Sequence, residues 1–185
     1  INSGIPINIV PGGEVRVDER ICRLLESDVI LTLADGGKYL LLELPYQVFI
    51  DIEPLLIELA SMGILPVISH AELIAPLVAR PEIVSKWHEC SIHLQITAAS
   101  LVGDLGPEVQ KVALSFIESG KATLVATDSH NTKLRRPRMR AAYELISTRF
   151  GEELANLVCI ENPSRIVNGQ DLLSVSLYER QKENR

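Results

Sequence analysis

The sequence predicts an α/β domain built mostly from parallel strands, and three observations carry that expectation. Short apolar runs of strand length alternate with helical patterns from one end of the chain to the other. The length of 185 residues and mass of 20.4 kDa suit one domain. Apolar residues make up 46% and charged residues 23%, the balance of a folded globular chain.

Taken in order, the strands are expected at 7–10, 29–33, 39–44, 65–69, 92–97 and 123–126. Asp35-Gly36-Gly37-Lys38 lies between two of these runs and reads as a hairpin turn, so one pair is expected to be antiparallel. A helix over 107–119 opens on Pro107 and stops before Gly120, with Val109, Val112, Ala113, Phe116 and Ile117 on one face. Further helices are expected before Gly63, over Met139–Phe150 and near 163–167, the last closing before Gly169. No internal repeat or low-complexity stretch interrupts this order. One domain is expected over 1–178, with a polar tail over 179–185.

Charge and composition narrow the function. With 18 Lys and Arg against 24 Asp and Glu, the net charge is −6, which argues against a general nucleic-acid binder. No apolar run approaches the roughly 18 to 20 residues of a membrane helix, so no membrane insertion is expected. Cys22, Cys90 and Cys159 are too few and too scattered for a disulfide framework or a zinc site, and a cytoplasmic setting is expected. The chain opens at Ile1 on residues that read as the inside of a domain, so a piece of a longer protein is expected.

The chemistry gathers at the C-terminal ends of the expected strands, where α/β folds build their sites. Glu14 follows a Pro11-Gly12-Gly13 turn, Glu43 ends an apolar run, His70 and Glu72 follow the fourth run, and Asp128 and His130 follow the last. Carboxylates and imidazoles on one rim suit a divalent metal of the Mn, Fe or Zn type. On an extended segment Asp128 and His130 would both face the pocket, although that spacing alone is weak evidence. A carboxylate buried in mid-strand, as Glu43 is expected to be, is costly unless partnered. Directly downstream, Lys133, Arg135, Arg136, Arg138 and Arg140 place five cations in eight residues. Beside a metal rim on an acidic chain they suggest an anionic substrate such as a phosphate, with a solvated helix start as the plainer alternative. His88 and His93 read as packing or surface residues. Cys159 and Arg165 have the C-x5-R spacing of cysteine-dependent phosphatases, but Glu161 and Pro163 spoil the cradle such a loop needs.

Six segments in order resemble a known family: Pro11-Gly-Gly-Glu14-Val-Arg, Leu41-Leu-Glu43-Leu-Pro45, Gly63-Ile-Leu-Pro-Val-Ile-Ser-His70-Ala-Glu72, Gln95-Ile-Thr-Ala-Ala-Ser100-Leu-Val-Gly103, Ala126-Thr-Asp128-Ser-His130-Asn131 and Asn162-Pro163. They are similar to the polymerase-and-histidinol-phosphatase (PHP) superfamily, and within it to the bacterial capsule-type tyrosine-protein phosphatases. The resemblance implies a distorted TIM-like (β/α)7 barrel, here without its N-terminal strands, and a trinuclear site that often uses manganese, with iron, zinc or magnesium as alternatives. It implies hydrolysis of phosphotyrosine on the tail of a bacterial tyrosine kinase that controls capsular or exopolysaccharide synthesis. Carried over by motif, Glu14, Glu43 and His70 would gather one metal, with Glu14 bridging to a second. Asp128 would complete the second and His130 would bind the third. Arg135 would grip phosphate as the catalytic arginine, with Arg136 and Arg138 as further substrate-binding cations. Two departures stand out. The family's opening D-x-H-x-H strand and the aspartate and histidine after it are not in this chain, and Leu73 stands where His-x-Glu-Arg has its arginine. A small-molecule phosphatase of the same fold and a non-catalytic binding domain are the rival readings.

Overall fold

The structure, a computed structural model, describes residues 6–174. Strands β1 (Glu14–Arg16), β2 (Tyr39–Glu43), β3 (Leu65–Ile68), β4 (His93–Thr97) and β5 (Leu124–Ala126) form one sheet in the order β1-β2-β3-β4-β5. Every neighbouring pair is parallel. Parallel neighbours need long crossovers, and helices supply them. They are α1 (Ile21–Glu26), α2 (Glu53–Ser61), α3 (Ala75–Ala79), α4 (Pro81–Glu89), α5 (Ala98–Leu101), α6 (Pro107–Glu118), α7 (Met139–Phe150), α8 (Glu152–Asn156) and α9 (Asn162–Val167). Among the described residues no helix is long and apolar enough to cross a membrane.

Strand alternation divides the core in two. Leu40 and Leu42 of β2, Ile68 of β3, Leu94 and Ile96 of β4 and Val125 of β5 pack against the helices. On the opposite face Tyr39, Val67 and Leu124 meet Ile166 of α9 and Leu172. That second face also lines a groove of about 320 Å³ bounded by Leu41, Val67, Gln95, Leu124 and the Pro11–Gly12 turn. Register then aligns the rim: Glu14 pairs with Leu41 and Arg16 with Glu43, so β1 delivers its acid and its cation beside the end of β2.

The strands at 39–44, 65–69, 92–97 and 123–126 and the helices at 107–119 and Met139–Phe150 form where the pattern places them, within a residue or so at the ends. Two expected strands do not form. Residues 7–10 are exposed and unpaired, and the chain joins the sheet only at Glu14, where the edge of β2 offers backbone partners. Residues 29–33 leave Val29 and Leu31 exposed, because the Val29 N–H is spent on closing α1 through the Leu24 carbonyl. The Asp35–Lys38 hairpin is likewise absent, and no pair in the sheet is antiparallel. Ala34 and Asp35 adopt positive φ of 57° and 52° in a tight turn, and Thr32 Oγ1 accepts the Gly37 N–H at 2.9 Å. The turn feeds β2 and does not fold it back on a partner. The expected tail over 179–185 lies outside the described residues.

Candidate active site

His70 is the pivot of the rim. It follows β3 in a left-handed conformation (φ 34°, ψ 48°) and is 3% exposed. Such a backbone costs a non-glycine residue roughly 1–3 kcal/mol and persists only where its surroundings enforce it. The enforcement is visible. The His70 N–H donates to Gln95 Oε1 at 3.1 Å, and the Leu73 N–H donates to the His70 carbonyl at 2.9 Å. Nε2 lies 3.1 Å from Glu14 Oε1 and 3.2 Å from Ser69 Oγ, while the buried Nδ1 has no hydrogen-bond partner among the described residues.

Glu72 turns inward from the same short turn. Ser100 Oγ donates to its Oε1 at 2.6 Å and the Thr97 N–H donates at 3.1 Å, tying β3 to the start of α5. Burial pushes its carboxyl pKa up, with the Ser100 hydrogen bond opposing. It braces the rim and does not line it. Glu43 is 24% exposed, not fully buried as expected from its apolar run, and it receives Arg16 Nε at 3.2 Å.

The opposite side of the rim is the loop after β5. Asp128 has φ 47°, so the segment is not the extended one from which the Asp128–His130 spacing was read. Asp128 is 17% exposed and His130 is 53% exposed. The imidazole turns back, with Nδ1 3.0 Å from the Asp128 carbonyl oxygen and 3.6 Å from its carboxylate. Arg135 Nη2 forms an ion pair with Asp128 Oδ2. Asn131, whose role the sequence reading missed, makes that pairing possible. Its Oδ1 accepts the N–H groups of Lys133, Leu134 and Arg135 at 2.9, 2.8 and 3.2 Å, while the Arg135 carbonyl accepts from His130 N–H and Ser129 Oγ. An asparagine facing three successive backbone donors is an Asx-type closure, and the signal was an Asn ahead of a polar run. Arg138 grips Asp104 through Nε and Nη2 at 2.6 and 2.9 Å, and Arg140 pairs with Glu144. Arg136 forms no ion pair among the described residues.

A second residue the sequence did not point to sits between the two sides. Tyr46 stands almost perpendicular to the His70 ring, with centroids 5.1 Å apart. Burial, then the carboxylates of Glu43, Asp128 and Glu14, raise the pKa of its phenol, while Arg135 opposes. One phenol therefore senses acids from β1, β2 and the loop after β5. Elsewhere, burial pushes the Cys159 thiol up to about 12, and Arg165 donates to the Asp171 carbonyl at 2.7 Å, so C-x5-R forms no thiolate cradle. His93 stacks edge-on with Tyr39, and the His88 side chain lies outside the described residues.

Oxygen and imidazole donors match the chemistry of a Mn-, Fe- or Zn-type ion, and the unpartnered Nδ1 leaves His70 Nε2 directed at Glu14. Yet among the described residues no three His, Cys, Asp or Glu side chains come together closely enough to hold an ion by themselves. Two carboxylates carry arginines instead. The residues fit one side of a metal shell, not a closed one.

Fold and rim together define a class: a parallel α/β protein whose strand ends carry an acid–imidazole–arginine site. The chain belongs to the capsular polysaccharide synthesis CpsB/CapC family, whose model matches residues 2–168. It is 30% identical over 173 residues to the tyrosine-protein phosphatase YwqE of Bacillus subtilis, covering 93% of this chain and 67% of that protein. It is equally 30% identical over 167 residues to the tyrosine-protein phosphatase CpsB of Streptococcus agalactiae, covering 87% and 68%. Crystal structures of YwqE from Bacillus subtilis and CpsB from Streptococcus pneumoniae, described as unique metal-dependent tyrosine phosphatases, match with a TM-score of 0.87 and 29% identity, over 92% of this chain and 68% of that one. The chain spans about two thirds of the length of these relatives.

Proposed function

We propose that this chain carries the active face of a metal-dependent tyrosine-protein phosphatase with a distorted, PHP-type barrel. The observation that carries the reading is the rim itself, where the Glu14–His70 pair, Glu43, and Asp128 with Arg135 surround one half-exposed tyrosine. Glu14, Glu43, His70, Asp128 and His130 would hold divalent ions, manganese in our reading, with further donors from outside the described residues. Such an ion supplies Lewis-acid chemistry for an in-line displacement at phosphorus.

The chain's own residues do the rest. Glu72 and Gln95 hold the His70 turn in place, and Asn131 folds the basic loop so that Arg135 faces the acids. Arg135 exchanges its Asp128 partner for a phosphate oxygen, neutralising charge that grows in the transition state. Arg136, free of ion pairs among the described residues, is the second cation on that path. A phenolate leaving group has an ordinary pKa of about 10 and needs less protonation than an alkoxide. The substrate is phosphotyrosine on the tail of a bacterial tyrosine kinase that governs capsule synthesis, met in the cytoplasm.

The test uses full-length protein purified with manganese, elemental analysis of metal per chain, and turnover of a phosphotyrosyl peptide against small phosphate monoesters. Two or three ions with preference for the peptide support the reading. Faster turnover of small monoesters moves the assignment to a small-molecule phosphatase. No metal and no turnover would establish the non-catalytic binding domain, a reading favoured by the open metal shell.

A further inference from the structure

Tyr46 belongs to no part of the mechanism above, yet it lies inside the site. Its ring meets the His70 imidazole edge-on at 5.1 Å and 79°, and its backbone carbonyl accepts the Ala75 N–H at 2.8 Å, which pins the loop after β2 beside the His70 turn. The residue is nevertheless 41% exposed. Its hydroxyl makes no hydrogen bond to another described residue, so the ring is not held for the sake of a polar contact. A tyrosine within the sheet behaves differently. Tyr39, at the opposite end of β2, is buried and spends its hydroxyl on the Gln170 carbonyl and the Leu172 N–H.

The rim around Tyr46 is otherwise ionic: His70 Nε2 lies 3.1 Å from Glu14 Oε1, Arg16 pairs with Glu43 and Arg135 pairs with Asp128. A half-exposed aromatic ring among charges has no packing purpose on its exposed side. It does offer what a phosphate monoester with an aromatic alcohol requires, an apolar wall within reach of the phosphate-binding cation. We propose that Tyr46 is a specificity-determining residue, whose ring packs against the aryl group of an aryl phosphate and so favours phosphotyrosine over alkyl phosphates. The inference rests on the phosphatase reading for the nature of the reaction, but it concerns which phosphate enters. Aromatic pairs contribute enough beyond area burial to change a rate ratio by about three- to tenfold.

The experiment compares full-length parent, Tyr46→Phe and Tyr46→Leu on one peptide sequence bearing either phosphotyrosine or phosphoserine. Tyr46→Phe is expected to keep the ratio of the two kcat/KM values within about twofold, because the ring remains. Tyr46→Leu should lower it by about three- to tenfold, mainly through KM for the phosphotyrosyl peptide. An unchanged ratio in Tyr46→Leu, or an equal fall on both peptides, overturns the proposal and reduces Tyr46 to a support for His70. A second arm measures phenylphosphonate and methylphosphonate binding by calorimetry, which needs no turnover. Parent protein should prefer the phenyl compound and Tyr46→Leu should not; equal binding of both by the parent also overturns the proposal. If the parent hydrolyses neither peptide, the phosphatase reading fails while the calorimetry still decides the role of the ring.

Discussion

Asn131 decides where Arg135 can reach. One side-chain oxygen accepts three backbone N–H groups, closing the loop so that the guanidinium meets Asp128. Asn131→Ala should cost about 1–2 kcal/mol of stability and raise KM for a phosphotyrosyl peptide by roughly tenfold, read by thermal denaturation and steady-state kinetics. An unaltered KM would mean that the loop finds its shape without this cap. Cys159→Ser is expected to leave turnover intact, because a thiol held near 12 supplies almost no thiolate at neutral pH. Leu73 ends the short turn that begins at Ala71 and is partly exposed. Leu73→Arg should therefore add a further cation at the rim and raise phosphotyrosine turnover by about tenfold or more. No change, or a fall, would show that this position does not meet the phosphate.

At the scale of elements, the sheet end is a set of turns braced from below. Glu72 joins the His70 turn to β4 and α5, and Asp104 holds the basic loop through Arg138. The Arg138 hydrogen bonds hold the Asp104 carboxyl below its ordinary value of 3.8. A depressed carboxyl contributes stability above its unfolded pKa and loses it as pH falls through the folded one. The gap in urea midpoint between the parent and Asp104→Asn should thus be constant above about pH 5, shrink below about pH 4 and vanish in stronger acid. A gap that persists in strong acid would assign the effect to shape and not to charge. The strands that pair in the interior were legible because an unbroken apolar run marks Tyr39–Glu43 and an apolar face of Leu94 and Ile96 marks His93–Thr97. The runs at 7–10 and 29–33 were equally strand-like by composition. Strand formation needs a partner edge, and neither run has one among the described residues.

For the whole molecule, the rim joins segments far apart in sequence, so ligands that bridge them should act on global stability. Manganese bound across Glu14 of β1 and His70 after β3 is expected to raise the melting temperature by several degrees at concentrations well above its Kd. His70→Ala should abolish that shift in full-length protein, and a shift of the same size in the variant would place the metal elsewhere. The two cores lie on opposite faces of the sheet, and the second borders a groove of about 320 Å³ lined by Leu41, Val67 and Leu124.

The order of motifs and the alternation of strand and helix were enough, without coordinates, to indicate an α/β fold, a family and a set of candidate acids, imidazoles and arginines at the strand ends. Those properties are local: a periodic pattern, a Pro before a helix, an acid at a strand end. Tertiary structure alone decided the rest. It set Glu14 against His70, Arg16 on Glu43 and Arg135 on Asp128, gave Asp128 a left-handed backbone, turned Glu72 inward and stood Tyr46 among the charges. Each of these depends on which distant strand lies alongside, and on whether a side chain finds a partner there before solvent claims it. Spacing along one chain carries no information about either.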